Sequence, residues 1–283
     1  MPSRCFLPSR FSNFRAAAAA AAVATFTLAA VPAGFAPAYA AEAPGPIKLT
    51  DEQAQTIGKQ IWKNECAGTV EGLTSWNKGE FFPSLGIGHF IWYPKGVTGP
   101  FQESFPGLIS FLRADGVKIP GWLSAPQEGC PWPNRAAFMA DIDSAKMKEL
   151  RKMLASTVAQ QARYAAKRSQ LALPAMTAGL SPAARAHVEQ QFRYVASHPK
   201  GVYALVDYVN FKGEGVKETE RYNGQGWGLL QILESMDAKG PGASAVTAFA
   251  DGAAGVLKRR VSNKPAEKMW LPGWLNRVNT YRP

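Results

Sequence analysis

The sequence contains little cysteine and histidine, and this scarcity removes several classes of site. Its 283 residues include three Cys and three His. Cys66 and Cys130 have too few His and Cys neighbours for a zinc site. No phosphate-binding loop and no Ser-His-Asp order stands out either. The sequence therefore implies no cofactor, and any chemistry must come from the side chains of the protein.

Long hydrophobic runs are lacking except near the N-terminus. Residues 1–40 carry three arginines and no acid, then an alanine-rich apolar run (16–30), then Ala38-Tyr39-Ala40. This pattern predicts a secretory signal peptide that is cut after Ala40. A membrane anchor is the alternative, but the run is short and rich in Ala rather than Leu. We expect a periplasmic or secreted protein with no stable membrane span after cleavage.

Acidic residues are outnumbered: 21 Asp and Glu oppose 32 Lys and Arg. An exported basic protein is attracted to anionic polymers. No basic-aromatic nucleic-acid motif is present, so wall glycan with acidic stem peptides fits better than nucleic acid. The expected partner is peptidoglycan or a related glycan. Export also makes Cys66 and Cys130 a disulfide candidate.

The rest of the chain is predicted to be mainly α-helical, with a small β-hairpin patch (α+β). A Pro-rich lead-in covers residues 41–49. The first helix begins after Thr50, because Thr50 and Gln53 match a capping box. It is expected to run to about Cys66, so that its last turn opens into a glycine-rich loop.

The segment 68–88 predicts a two- or three-stranded hairpin, with a strand over 84–89. After the lead-in, the sequence shows no internal repeat and no change of composition along its length, so we predict a single domain over 50–283. Further helices are predicted at 105–113, 144–171, from Pro182 onward, 202–208, 227–236, 243–261 and 270–281.

Two carboxylates around this hairpin have different surroundings. Cleaving a glycosidic bond needs a proton donor and a second carboxylate. The donor works best in an apolar pocket that raises its pKa. Glu65 ends the first helix and faces a loop with aromatic residues, whereas Glu80 lies in a wetter hairpin. Trp76 is a candidate for stacking on a sugar ring, although core packing is the commoner use of such a residue.

The order of these motifs resembles that of the phage-type lysozymes. That family has Glu, then Asp, then Thr-Ile-Gly-(Tyr/Ile)-Gly-His. Here Glu65 or Glu71 is followed by Glu80 and by Ser-Leu-Gly-Ile-Gly-His at 84–89. Later segments that resemble the family, in the same order, are 204–213, 228–233 and 271–277.

The resemblance implies a lysozyme-like fold and a glycosidase that cleaves peptidoglycan, with a helical insertion at about 95–200. It implies that the first Glu is the acid, and that the hairpin acid and Ser84 position water or sugar. The chain departs from the family because Glu80 replaces the usual Asp and Ser84 the usual Thr. The spacing to Glu80 fits Glu71 better than Glu65. We prefer Glu65, because Glu71 falls beyond the helix, and Glu71 stays the alternative.

Two other functions stay open. The run 224–231 resembles the Gly-Leu-Met-Gln segment of lytic transglycosylases, which use one Glu as acid and base. A non-catalytic cell-wall-binding protein with the same fold is the third possibility. Among binding candidates, His89 is expected to form a hydrogen bond beneath the site, and Tyr222 and Trp227 to line the cleft.

Overall fold

The computed structural model describes residues 47–283, so the predicted signal peptide and most of the lead-in lie outside the described residues. The described part is mainly helical with a small antiparallel sheet, as predicted. No helix in this part is long and apolar enough to cross a membrane. Its helices are α1 (Asp51–Cys66), α2 (Phe105–Ala114), α3 (Arg135–Ala140), α4 (Ala145–Ser156), α5 (Val158–Met176), α6 (Pro182–Ala196), α7 (Pro199–Lys212), α8 (Leu229–Ser235), α9 (Ala243–Asn263) and α10 (Leu271–Asn279).

Helix α1 begins with the predicted capping box. The Thr50 hydroxyl accepts a hydrogen bond from Gln53 N at 3.2 Å, and Gln53 Oε1 accepts one from Thr50 N at 3.0 Å. Helix α1 packs against α5 and α7. A Cβ at Gly58 would lie 2.6 Å from Val158 Cγ1, so glycine permits the close approach of α1 to α5. Glu65 lies in the last turn of α1.

The predicted hairpin is a three-stranded antiparallel sheet with very short strands. The strands follow one another in the order β1-β2-β3, and a separate pair, β4 and β5, lies later in the chain. The bounds are β1 (Thr74–Ser75), β2 (Ser84–Leu85), β3 (Phe90–Ile91), β4 (Arg221–Tyr222) and β5 (Gln225–Gly226).

The strand predicted over 84–89 is wrong beyond Leu85, because the chain turns at Gly86. Gly86 has a φ of 71°, and a Cβ there would lie 2.3 Å from Gln161 Oε1. The same oxygen accepts a hydrogen bond from Ile87 N at 2.9 Å. This Gly86–His89 turn is therefore fixed on α5, and it carries His89 toward the end of α1.

The helix predicted over 144–171 is two helices, α4 and α5, separated at Thr157. The Thr157 hydroxyl donates to Met153 O at 2.8 Å, and Gln161 Nε2 donates to Leu154 O at 2.6 Å. Side chains thus satisfy carbonyl groups where the backbone helix is interrupted. Helix α5 packs along α1, so the segment predicted as an insertion contributes to the core around Glu65.

Candidate active site

Glu65 lies in a buried network of charged groups. Its side chain is 4% exposed. One carboxylate oxygen, Oε2, lies 3.3 Å from His89 Nδ1, and the other, Oε1, accepts a hydrogen bond from Arg277 Nη2. The three residues come from α1, from the Gly86–His89 turn and from α10. The fold therefore brings together residues that are far apart in the sequence.

Asp207 is the second carboxylate of this network. It is fully buried in α7. Arg277 binds it with two hydrogen bonds, Nε to Oδ2 at 2.9 Å and Nη2 to Oδ1 at 2.8 Å. Tyr281 and Asn64 also donate to it, at 2.7 Å and 2.9 Å. Arg277 thus joins Asp207 to Glu65, and its planar guanidinium suits such shared, two-point binding.

The two neighbouring cations determine the protonation of Glu65. Burial by itself would raise the pKa of Glu65, but the hydrogen bonds and charges of His89 and Arg277 outweigh it and lower the pKa to about 2. A carboxyl with so low a pKa is ionised at neutral pH. The expectation of a raised pKa at Glu65 is wrong here, because the sequence showed the apolar helix but not the two cations that the fold supplies.

His89 adopts an uncommon backbone conformation to reach Glu65. Its φ is 48°, in the left-handed region that few non-glycine residues occupy. Its second ring nitrogen, Nε2, lies 3.9 Å from Cys66 Sγ. Burial would lower the pKa of His89, but hydrogen bonds to Cys66 and Glu65 and the charge of Glu65 raise it to about 10. The imidazole is therefore cationic at neutral pH and carries a proton toward Glu65.

We expect stability to decrease in acid, in part through Glu65. A carboxyl whose pKa is 4.5 when unfolded and about 2 when folded stabilises the protein above pH 4.5. That contribution, about 3 kcal/mol, is lost as the pH falls from about 4.5 toward 2. Urea unfolding of the wild type and of Glu65→Gln at about pH 6 and about pH 3 measures it. The variant should lose less stability than the wild type between the two pH values, and equal losses would contradict the low pKa.

The other predicted catalytic residues do not join this network. Glu80 is half-buried in the loop between β1 and β2, and its Oε2 accepts a hydrogen bond from Asn77 at 3.2 Å. Ser84 is buried in β2. Within residues 47–283, neither makes a hydrogen bond or an ion pair with Glu65. Glu71 is exposed in a short 3-10 helical turn after α1. Burial and charge partners therefore distinguish Glu65 from Glu71.

Two aromatic side chains that were predicted to bind sugar are buried instead. Trp76 is 4% exposed, and its indole donates to Glu80 O at 2.9 Å. Trp227 is 5% exposed and lies 4.3 Å, between ring centroids, from Tyr222. Trp76 thus has the usual role of a tryptophan in a core, with its large ring buried and its N–H hydrogen-bonded. Tyr222 is half-buried, and its hydroxyl donates to Glu267 at 2.8 Å.

The predicted disulfide is also wrong, because Cys66 and Cys130 are both free and buried. Cys66 faces His89, whereas Cys130 N donates to Tyr93 O at 2.8 Å in a different loop. The sequence showed an even number of cysteines after the predicted signal peptide but carried no information on the distance between them.

Alkylation tests this arrangement of the cysteines. In the folded protein both thiols should react slowly with iodoacetamide, since each residue is 5% exposed. In denaturant without reductant, both Cys66 and Cys130 should be alkylated fully, as peptide masses would show. A mass two hydrogens lower, with neither thiol modified, would indicate the disulfide after all.

Arg277 also ends a row of alternating cations and aromatic rings that is drawn from α7, α9, α10 and the segment before α8. The Arg277 guanidinium lies 4.4 Å from the ring of Phe211, and Lys212 Nζ lies 3.4 Å from the ring of Trp274. The Arg260 guanidinium lies 4.0 Å from the ring of Trp227. Such contacts stabilise most where the cation is shielded from water. The members of this cation–aromatic row are Arg277, Phe211, Lys212, Trp274, Arg260 and Trp227.

Asp207 and Arg277 are the members of the network that the sequence analysis did not single out, although both lie in segments that carry the lysozyme resemblance. Asp207 follows the apolar run 202–206 in a helix predicted to be buried. A charged residue at such a position requires a partner, because an unpaired buried charge is very costly. That signal predicts a counter-cation for Asp207 but does not identify Arg277.

Comparisons with other proteins assign no family to the chain. No family model matches the sequence, and neither a curated protein nor a solved structure gives a match.

Proposed function

We propose that the chain is an exported, lysozyme-like glycosidase that cleaves peptidoglycan. One observation carries this proposal: four parts of the chain that resemble the phage-type lysozymes meet at a single network. They are the end of α1, the motif at 84–89, and the segments 204–213 and 271–277. They supply Glu65, His89, Asp207 and Arg277, which hydrogen bonds or ion pairs join. If the resemblance concerned only the way the helices pack, these four charged residues would have no reason to lie together in one buried network.

In the proposed reaction, Glu65 receives its proton from His89. The protonated Nδ1 of His89 lies 3.3 Å from Glu65 Oε2, which is one proton-transfer step away. When a bound sugar excludes water, separated charges become more costly, and transfer of the proton converts the ion pair into two neutral groups. Glu65 then donates that proton to the leaving glycosidic oxygen as the bond from oxygen to the anomeric carbon breaks.

The second half of the reaction uses water and Glu80. The water oxygen bonds to the anomeric carbon, and Glu80 accepts the proton that the water loses. Ser84 assists by orienting the water or the sugar. Glu80 afterwards releases its proton to solvent, from which His89 recovers one, so each cycle consumes only one water and one glycosidic bond.

Purified peptidoglycan provides the first test. The protein without residues 1–40 is incubated with it, and the soluble fragments are weighed by mass spectrometry. Hydrolysis gives fragments with a reducing end and therefore supports the proposal. Anhydro-ended fragments, lighter by one water, would show internal transfer and replace the proposal with a lytic transglycosylase.

A non-catalytic glycan-binding protein is the second candidate, and one observation favours it. Both carboxylate oxygens of Glu65 already have cationic partners, as in an ion pair whose role is structural. The same incubation separates the two candidates. Binding to peptidoglycan with no released fragment would support the binding protein and overturn the glycosidase.

A further inference from the structure

A pocket of about 320 Å³ lies beside the hairpin, and most of its lining comes from the segment that the lysozyme resemblance does not cover. Its walls are formed by 93–99, Phe101 and Glu103 and by 127–129. The wall is internally bonded: the Tyr93 hydroxyl bonds to both the N–H and the carbonyl of Phe101 at 3.3 Å. Backbone groups of Pro94 and Cys130 also form a β-bridge. These contacts join the two loops, so the pocket has a wall that its own hydrogen bonds hold in place.

Charges of both signs line this pocket. Lys95 supplies an ammonium, and Glu103 and Glu128 supply carboxylates. Tyr93 N donates to Glu103 Oε1 at 2.7 Å, which fixes that carboxylate at the wall. Two acids with one base favour a ligand that carries an ammonium together with a carboxylate. The rings of Tyr93 and Phe101 provide apolar contact for the chain that connects the two charges.

The pocket is close to the proposed reaction centre. Tyr93 follows His89 by four residues, and four residues span at most about 14 Å. The hairpin acid is near as well, because Phe82, two residues after Glu80, packs its ring 5.2 Å from the ring of Tyr93. A peptide in this pocket therefore lies within reach of a sugar that is bound between Glu65 and Glu80.

We infer that this pocket binds the stem peptide of peptidoglycan, with the side-chain ammonium of its diamino acid at Glu103 and Glu128 and a peptide carboxylate at Lys95. The inference rests on the proposed function, because it takes the peptide to be attached to the glycan that is cleaved. It specifies the substrate class further: glycan that carries peptides with a free amine, in preference to bare glycan.

Binding of two matched peptides to the Glu65→Gln variant tests the inference without turnover. One probe is a stem tripeptide that ends in lysine, and the other is the same peptide with its side-chain amine acetylated. Calorimetry should show that acetylation weakens binding at least about tenfold, since it removes a charged hydrogen bond. Added Glu103→Gln or Glu128→Gln should weaken binding of the free-amine peptide similarly. Glu52→Gln, a matched change on the exposed first turn of α1, should have no effect.

The outcomes separate this inference from the proposed function. Equal binding of the two peptides, no binding of either, or unchanged binding in Glu103→Gln and Glu128→Gln would overturn the inference. Cleavage of peptide-bearing and bare glycan at equal rates would overturn it too while leaving the glycosidase in place. Peptide binding that depends on the two carboxylates, in a protein that releases no fragments, would sustain the pocket and reject the glycosidase.

Discussion

Glu65→Gln should lower the rate of peptidoglycan cleavage by at least about 100-fold, the usual contribution of a positioned proton donor. The amide has the size of the carboxyl group but cannot pass a proton to a leaving oxygen. It also removes the anion that holds His89 and one of the two that hold Arg277. Fragment release, quantified by mass spectrometry against time, measures the effect, and sedimentation with insoluble peptidoglycan checks that binding persists.

Glu71→Gln is the matched control, because the same chemical change is made six residues further along at an exposed side chain. It should leave the cleavage rate within about threefold of the wild type (about 0.6 kcal/mol in the activation free energy), because Glu71 is exposed and has no part in the network around Glu65. If Glu71→Gln abolished cleavage and Glu65→Gln did not, the catalytic assignment would pass to Glu71, and the network around Glu65 would be structural.

Arg277→Met should destabilise the protein by about 3–5 kcal/mol. The substitution keeps much of the side-chain volume but leaves Asp207, which is fully buried, and Glu65, which is 4% exposed, without their shared cation. Arg277→Lys should recover only part of the loss, because an ammonium lacks the planar fork that now bonds to two carboxylates. Urea unfolding followed by far-ultraviolet circular dichroism at about pH 7 gives the free energies.

Arg282→Met provides the control for this experiment. Arg282 forms an ion pair with Asp251, but both side chains are substantially exposed. Its loss should cost no more than about 1 kcal/mol, as is usual for surface pairs. An equal loss of unfolding free energy in Arg277→Met and Arg282→Met would show that burial does not determine how much each arginine contributes to stability. Adding Asp207→Asn to Arg277→Met should recover part of the lost stability, since it removes one of the two charges that Arg277 held.

Local signals in the sequence predicted most of the helical architecture. The capping residues Thr50 and Gln53 located the start of α1, and Ser181 before Pro182 located the start of α6. These features act between residues three or four positions apart, so they can be recognised without the tertiary structure. The break at Thr157 was not recognised, because it depends on side chains that replace backbone partners within an otherwise helical pattern.

The candidate site was predicted only in part, because its electrostatics depend on distant residues. The position of Glu65 followed from α1, but its ionisation depends on His89 and Arg277, which the fold places beside it. The burial of Trp76 likewise depends on Phe138, against whose ring it packs at 5.7 Å. Periodicity indicates which face of an element is apolar, but it does not identify the element that covers that face.

The separation of Glu65 and Arg277 along the chain has a consequence for how the site assembles. They are 212 residues apart, and helix α10 supplies the cation that both buried carboxylates share. Until α10 docks, Glu65 and Asp207 lack the arginine that they share, and closing the surrounding helices over them would be costly. The core near Glu65 should therefore close late in folding, when α10 docks.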